Sequence, residues 1–223
     1  MAKLQVKTQN RLILIKRYIL SAVNLYGVIP LDRLVEVFNR LENNLTSESE
    51  IRPVVELLAT IPSLGLSIKD DIIANEYYEL NDPKDLIRAK DLIRVQQSKP
   101  RYIPDKKTFL NYEDDSFVEP FSPVQDLVNF ILKNKLIDHQ KPLEIYDDVI
   151  EIHDQIVCGY PTKAHMTYFT NRGYQFRDEV EVKLFMGLII NLHNHTRLYE
   201  NNGYTPVELR ELTENVQVND QKI

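Results

Sequence analysis

The chain has 223 residues, 43% of them hydrophobic and 27% charged, with a net charge of −6 and a single cysteine. That length holds one large domain or two small ones with a real core. One cysteine, Cys158, excludes an internal disulfide and a cysteine-cluster zinc site, and six glycines with eleven prolines argue against long flexible linkers. Charge is unevenly spread. Residues 1–31 hold Lys3, Lys7, Arg11, Lys16 and Arg17 and no acid, so a basic arm of +5 precedes a body of −11.

Arg11–Tyr26 (RLILIKRYILSAVNLY) is apolar almost all the way round, with Asn10, Arg17, Ser21 and Asn24 as its one polar stripe. Such a helix is buried on most sides or sits in a membrane. At this length it would span about 24 Å, short of a hydrocarbon core of roughly 30 Å. Lys16 and Arg17 lie at its centre. A membrane span and a signal peptide are both disfavoured, and a reducing, cytoplasmic setting is expected.

Gly27 closes this helix, and Val28-Ile29-Pro30 reads as a turn. Apolar residues at 31, 34, 35, 37, 38 and 41 predict an amphipathic helix over Leu31–Asn43. Ser47 with Glu50 has the spacing of a capping box, with Thr46 as an alternative cap, and predicts a third helix to about Thr60. Leu66–Leu80 reads as two short strands around Lys69-Asp70-Asp71, although Ile72–Leu80 could also be helical. Three helices and a β-hairpin give the order of a winged-helix-like unit over residues 1–81.

Asp82-Pro83 starts a linker helix to about Gln97, followed by a connector with Tyr102, Phe109, Tyr112 and Phe117 that should pack down. Together they fill 82–122. The remainder, 123–223, reads as a helical bundle, with helices predicted over Pro123–Leu136, Pro142–Cys158, Lys163–Thr170 and Asp178–Tyr199. The last of these is nearly as apolar as the first and is expected to be the core helix. Thr205-Pro206-Val207-Glu208 supplies a cap, a first-turn proline and a capping-box glutamate for a short helix. Glu214–Ile223 is expected to fray. The fold class is therefore mainly α.

Tyr102–Glu119 (YIPDKKTFLNYEDDSFVE), His195–Glu211 (HTRLYENNGYTPVELRE) and Leu25–Arg40 together resemble segments of uncharacterised Gram-positive bacterial proteins, many of which end in a SEC-C zinc motif. The resemblance covers the chain in spaced patches of caps and turns. No Cys-x-Cys and no terminal Cys-Cys is present, so the zinc element is missing and no site residue carries over.

Three constellations could carry chemistry. A winged helix reads the major groove with its third helix. Here that helix offers Arg52 against Glu48, Glu50 and Glu56, and the hairpin offers Lys69 beside Asp70 and Asp71. Nucleic acid is disfavoured by those carboxylates, leaving the basic arm (Lys3, Lys7, Arg11, Lys16, Arg17) as the alternative route to phosphate. Glu144, Asp147, Asp148, Glu151 and Asp154 fall on one helical face without interleaved lysines. Like charges at this spacing cost helix stability. The stripe is either a plain solvent face, a surface for a basic protein partner or second copy, or, least favoured, a cation site.

His153, predicted on the apolar face with Tyr146, Val149, Ile150, Ile156 and Val157, is read first as a hydrogen-bonded core histidine. A metal ligand or base for a metal-dependent enzyme is the alternative. His193 and His195 point apart on a helix, and Cys158 follows a helix C-terminus beside acids, a poor setting for a thiolate. Phosphate-loop, zincin and serine-hydrolase motifs are absent. No cofactor is implied. The expectation is a non-enzymatic cytoplasmic interaction or regulatory protein with a protein partner or homo-oligomer.

Overall fold

The computed structural model describes residues 2–120, 123–138 and 141–220, with side chains between Gln9 and Glu214. The protein is mainly helical, with one small antiparallel sheet among the described residues. It divides into two compact units, Met1–Phe117 and Val118–Ile223.

In the first unit α1 (Ala2–Tyr26) runs nine residues further towards the N-terminus than the apolar stretch predicts. Gly27, at φ 73°, ends it by donating its N–H to the Val23 carbonyl. Val28-Ile29-Pro30, expected as a turn, is a strand, β1 (Val28–Pro30), which leads directly into α2 (Leu31–Leu41). Then come α3 (Glu48–Leu58), a single 3₁₀ turn at Pro62–Leu64, β2 (Ser67–Lys69) and β3 (Ile72–Ala74). β3 is the central strand. Ile73 lies opposite Ile29 of β1 and Ile68 of β2, and the sheet order is β1-β3-β2.

The β2–β3 loop consists of Asp70 and Asp71 alone, both with positive φ (51° and 62°). This is the type I′ hairpin turn, which matches strand twist and is usually built with asparagine and glycine. Aspartate tolerates the left-handed region better than most side chains.

The segment expected as a linker packs into this same unit up to Phe117. α4 (Pro83–Gln97) is capped by Asp82, whose carboxylate accepts from the N–H groups of Lys84 and Asp85. Its Ala89 is buried with Val28 and Ile72. A short helix that the sequence pattern did not announce, α5 (Lys106–Asn111), delivers Phe109 to the core. Tyr18 is 4.5 Å from Phe38 and 5.4 Å from Phe109, ring centre to ring centre. Tyr26 donates its hydroxyl to the Tyr102 carbonyl at 2.7 Å. Burying a tyrosine this way keeps its apolar area while satisfying the hydroxyl.

The second unit contains α6 (Val124–Asn134), α7 (Pro142–Val157), α8 (Thr162–Asn171), α9 (Glu179–His195) and α10 (Pro206–Asp220). α10 continues through the segment expected to fray as far as Asp220. Phe169 of α8 sits 4.9 Å from Phe185 of α9 and 4.9 Å from Tyr174, centre to centre, with Leu127, Ile131, Val149, Ile152, Ile189 and Leu192 around them.

Two further caps, like that of Asp82, hold as the sequence pattern predicts. Asp178 accepts from the Glu181 N–H at 2.8 Å, and Thr205 and Glu208 exchange hydrogen bonds. The predicted box at Ser47 does not form. Ser47 makes no capping hydrogen bond, and Glu50 turns instead to Arg11 and Thr46.

α9 is one-sided rather than enclosed. Phe185, Ile189 and Leu192 are buried, whereas Val180, Leu184 and Ile190 are exposed. Among the described residues no helix is long and apolar enough to cross a membrane.

Candidate interaction surfaces

α3 and the hairpin tip define the first surface. The helix buries Ile51, Val54, Val55 and Leu58 and turns Glu48, Ser49, Pro53, Glu56 and Leu57 outward. Leu57 is 64% exposed. Pro53 lies in the second turn, where its missing N–H removes one helical bond.

Arg52, the one cation of α3, donates to Asp71 of the hairpin tip at 2.7 Å and lies 3.7 Å from Glu48. The neighbouring tip residue, Asp70, accepts from Lys90 of α4 at 2.8 Å. Two carboxylates in an adjacent turn thus engage one cation from each flanking helix. The bond from Lys90 is the larger cause holding the Asp70 carboxyl below the usual aspartate range.

Two cations of the basic arm, Arg11 and Arg17, are engaged within the first unit. Arg11 gives Nε and Nη2 to the two oxygens of Glu50 (2.9 and 2.8 Å) and further N–H groups to the carbonyls of Asn44 and Leu45. Its guanidinium also lies 4.7 Å from the Phe38 ring centre. These bonds hold Glu50 below the usual carboxylate range, with the Arg11 hydrogen bond as the largest cause. Arg17 is bonded to Glu113 of the acid cluster after α5. Lys16 is half-buried. The Lys3 and Lys7 side chains lie outside the described residues. Arg11 and Arg17 therefore serve as internal fasteners, not as an open cationic surface.

The acidic stripe of α7 loses its middle member. Glu144, Asp147 and Glu151 are exposed and Asp154 is half-exposed, but Asp148 is 2% exposed. Its Oδ1 accepts from Tyr168 at 2.8 Å and from Arg172 Nε at 2.9 Å, and its Oδ2 accepts from Tyr174 at 2.8 Å. The buried face of α7 is Ile145, Asp148, Val149, Ile152 and Ile156. Asp148 lies three residues from Ile145 and four from Ile152, so helical geometry puts it on the core side. It is an internal anchor and not part of a partner surface. Burial, then the bond to Asp148, pushes the Tyr168 hydroxyl up to about 12, and the same two causes raise Tyr174.

His153 lies at the flank of the buried face rather than its centre. Tyr146, expected beside it on that face, is exposed. The His153 Nδ1 is 3.2 Å from the carboxylate of its neighbour Asp154. Among the described residues no group of three or more His, Cys, Asp or Glu side chains is placed to share a metal ion.

Among the described residues the buried histidine is one that the sequence pattern did not single out. His165 of α8 is 1% exposed, and neither ring nitrogen has a hydrogen-bond partner among the described residues. A short helix with Ala164 and Met166 around the histidine carries no period strong enough to announce this.

In the second unit Arg197, 11% exposed, is a further fastener, bonding to Glu119, Glu208 and the Gly203 carbonyl. It fixes the loop between α9 and α10. Comparison with protein-family models, curated proteins and solved structures finds no match.

Proposed function

We propose that this is a non-enzymatic interaction or regulatory protein whose first unit is winged-helix-like and meets a protein partner with α3. The winged-helix reading draws support from the element order α1-β1-α2-α3-β2-β3 and from a sheet in which the hairpin strand β3 is central. Its second unit is read as a helical bundle. A cytoplasmic setting and kinship with the Gram-positive group that the sequence resembles belong to the same proposal.

One observation carries the choice of partner: Arg52, the only cation on α3, is engaged by Asp71 and Glu48. What α3 presents is Pro53, Glu56 and Leu57, an apolar and acidic face. A phosphate backbone needs cations to displace its counterions, and this face has none to give. An exposed leucine flanked by a proline suits the apolar centre of a protein interface, and glutamates at its edge suit a partner with a basic rim. The alternative of nucleic-acid binding through the arm loses support because Arg11 and Arg17 are bonded to Glu50 and Glu113. In the second unit Glu144, Asp147, Glu151 and Asp154 remain the proposed docking stripe for a basic partner.

The test is a photo-crosslinking residue placed at Leu57 in the full chain and, as a control, at the exposed position Arg88. Irradiation in the native cell should give one discrete protein adduct from position 57 and none from 88. Equal adducts from both positions, or nucleic acid in the adduct, contradicts the reading.

A further inference from the structure

Phe169 and His165, four residues apart, form the inward face of α8. Phe169 inserts into the aromatic cluster with Tyr174 and Phe185, a favourable apolar anchor. His165 has no such reward. It is as deeply buried as Phe169, yet neither imidazole nitrogen has a hydrogen-bond partner among the described residues. An imidazolium in that position would carry two donors with no acceptor among the described residues.

The surroundings offer a proton no compensation. α7 faces α8 with Asp148, but that carboxylate is already shared by Tyr168, Arg172 and Tyr174. α9 contributes His193, a second imidazole. Among the described residues, no carboxylate on either helix acts on the His165 ring. We propose that His165 is an acid-sensitive latch: neutral, it lets α8 close over the aromatic core, and protonated, it drives α8 off and uncovers Phe169.

The sign follows from burial. Burial first, and then the His193 charge, places the His165 pKa below its ordinary value of 6.5. The opened or unfolded state then binds the proton more readily. Above pH 6.5 both states are neutral and nothing is lost. As pH falls below 6.5 the closed state is progressively disfavoured, until pH passes the folded-state pKa. Each unit of depression corresponds to a tenfold shift of the opening equilibrium once pH lies below both values. Such a device turns a modest acidification into exposure of an aromatic surface.

The experiment is amide hydrogen exchange on the full chain at pH 7.5 and 5.5, corrected for the intrinsic dependence of exchange on pH. α8 (residues 162–171) is compared with α6 of the same unit. Protection in α8 should fall more than in α6, by a factor that approaches but does not exceed about tenfold because pH 5.5 lies one unit below 6.5, and the difference should vanish in H165L. His165→Gln provides a second neutral side chain should the leucine variant fold poorly. In addition, the His165 ring protons should titrate below 6.5. Parallel loss in α8 and α6, retention of the acid effect in both variants, or a titration at or above 6.5 overturns the proposal.

Discussion

Tyr174 donates its hydroxyl to Asp148 at 2.8 Å, joining the loop after α8 to the buried side of α7. The same carboxylate takes Tyr168 and Arg172, so one side chain gathers α7, α8 and the turn that follows. Charge-assisted hydrogen bonds of this kind are each stronger than neutral ones.

Asp148→Asn keeps the shape but removes the charge and turns one acceptor into a donor facing a hydroxyl or guanidinium. The expected cost is about 2–3 kcal/mol in urea unfolding, whereas Asp147→Asn on the exposed side of the same helix should change stability by less than about 0.5 kcal/mol. Equal effects of the two substitutions would return Asp148 to the solvent face.

Arg11 ties α1 to the start of α3. A double-mutant cycle of Arg11→Ala with Glu50→Ala should give a coupling of about 1 kcal/mol, because the pair is bidentate and Arg11 is only 15% exposed. Arg33→Ala with Glu36→Ala, an exposed pair on α2, should couple by no more than a few tenths of a kcal/mol. Similar values for the two cycles would make Arg11 an ordinary surface cation.

Gly65 follows the 3₁₀ turn at φ 57°, and a Cβ there would stand 2.8 Å from the Glu76 Cβ. Both the backbone and the space demand glycine. Gly65→Ala should cost about 1–2 kcal/mol or more, while Gly159→Ala, strained at φ 81° but with open space around it, should cost less. The urea midpoints of the two variants decide it.

Carboxylates and His165 should act in separate pH windows. Glu50 and Glu181 are held below their ordinary value of 4.5 chiefly by hydrogen bonds from Arg11 and Arg177. Their contribution is complete above the unfolded-state value near 4.5 and is lost as pH falls through the folded-state values. A melting-temperature profile should therefore show one decline beginning near pH 6.5 and a second below pH 4.5. In Glu50→Gln only the second decline should weaken.

Local chemistry was legible in the sequence, and tertiary pairing was not. Asp82, Asp178 and the Thr205–Glu208 pair announce helix starts because a cap acts within four residues of itself. β1 is three residues long and ends in proline, so it offers no alternation to read, and only its pairing with Ile72–Ala74 makes it a strand. Glu50 has capping-box spacing, but an arginine 39 positions earlier competes for it and wins with two hydrogen bonds. The α7 stripe shows the same limit. Five acids share a face by spacing, yet the partners that draw Asp148 inward lie 20 to 26 residues further on. Its place between Ile145 and Ile152 was the available signal.

The hairpin tip holds Arg52 of α3 and Lys90 of α4, and the proposed role of α3 as a protein-facing rather than phosphate-facing surface rests on that engagement. The most direct measurement is fluorescence anisotropy of a labelled mixed-sequence duplex titrated with the full chain at low salt, alongside the D70N/D71N variant. The wild type should give no salt-dependent binding in the range of about 10⁻⁶ to 10⁻⁴ M where non-specific DNA binders act. The variant, with Arg52 and Lys90 released, should bind more than the wild type. Wild-type binding that weakens steeply with added salt, and is unchanged in D70N/D71N, would contradict the account.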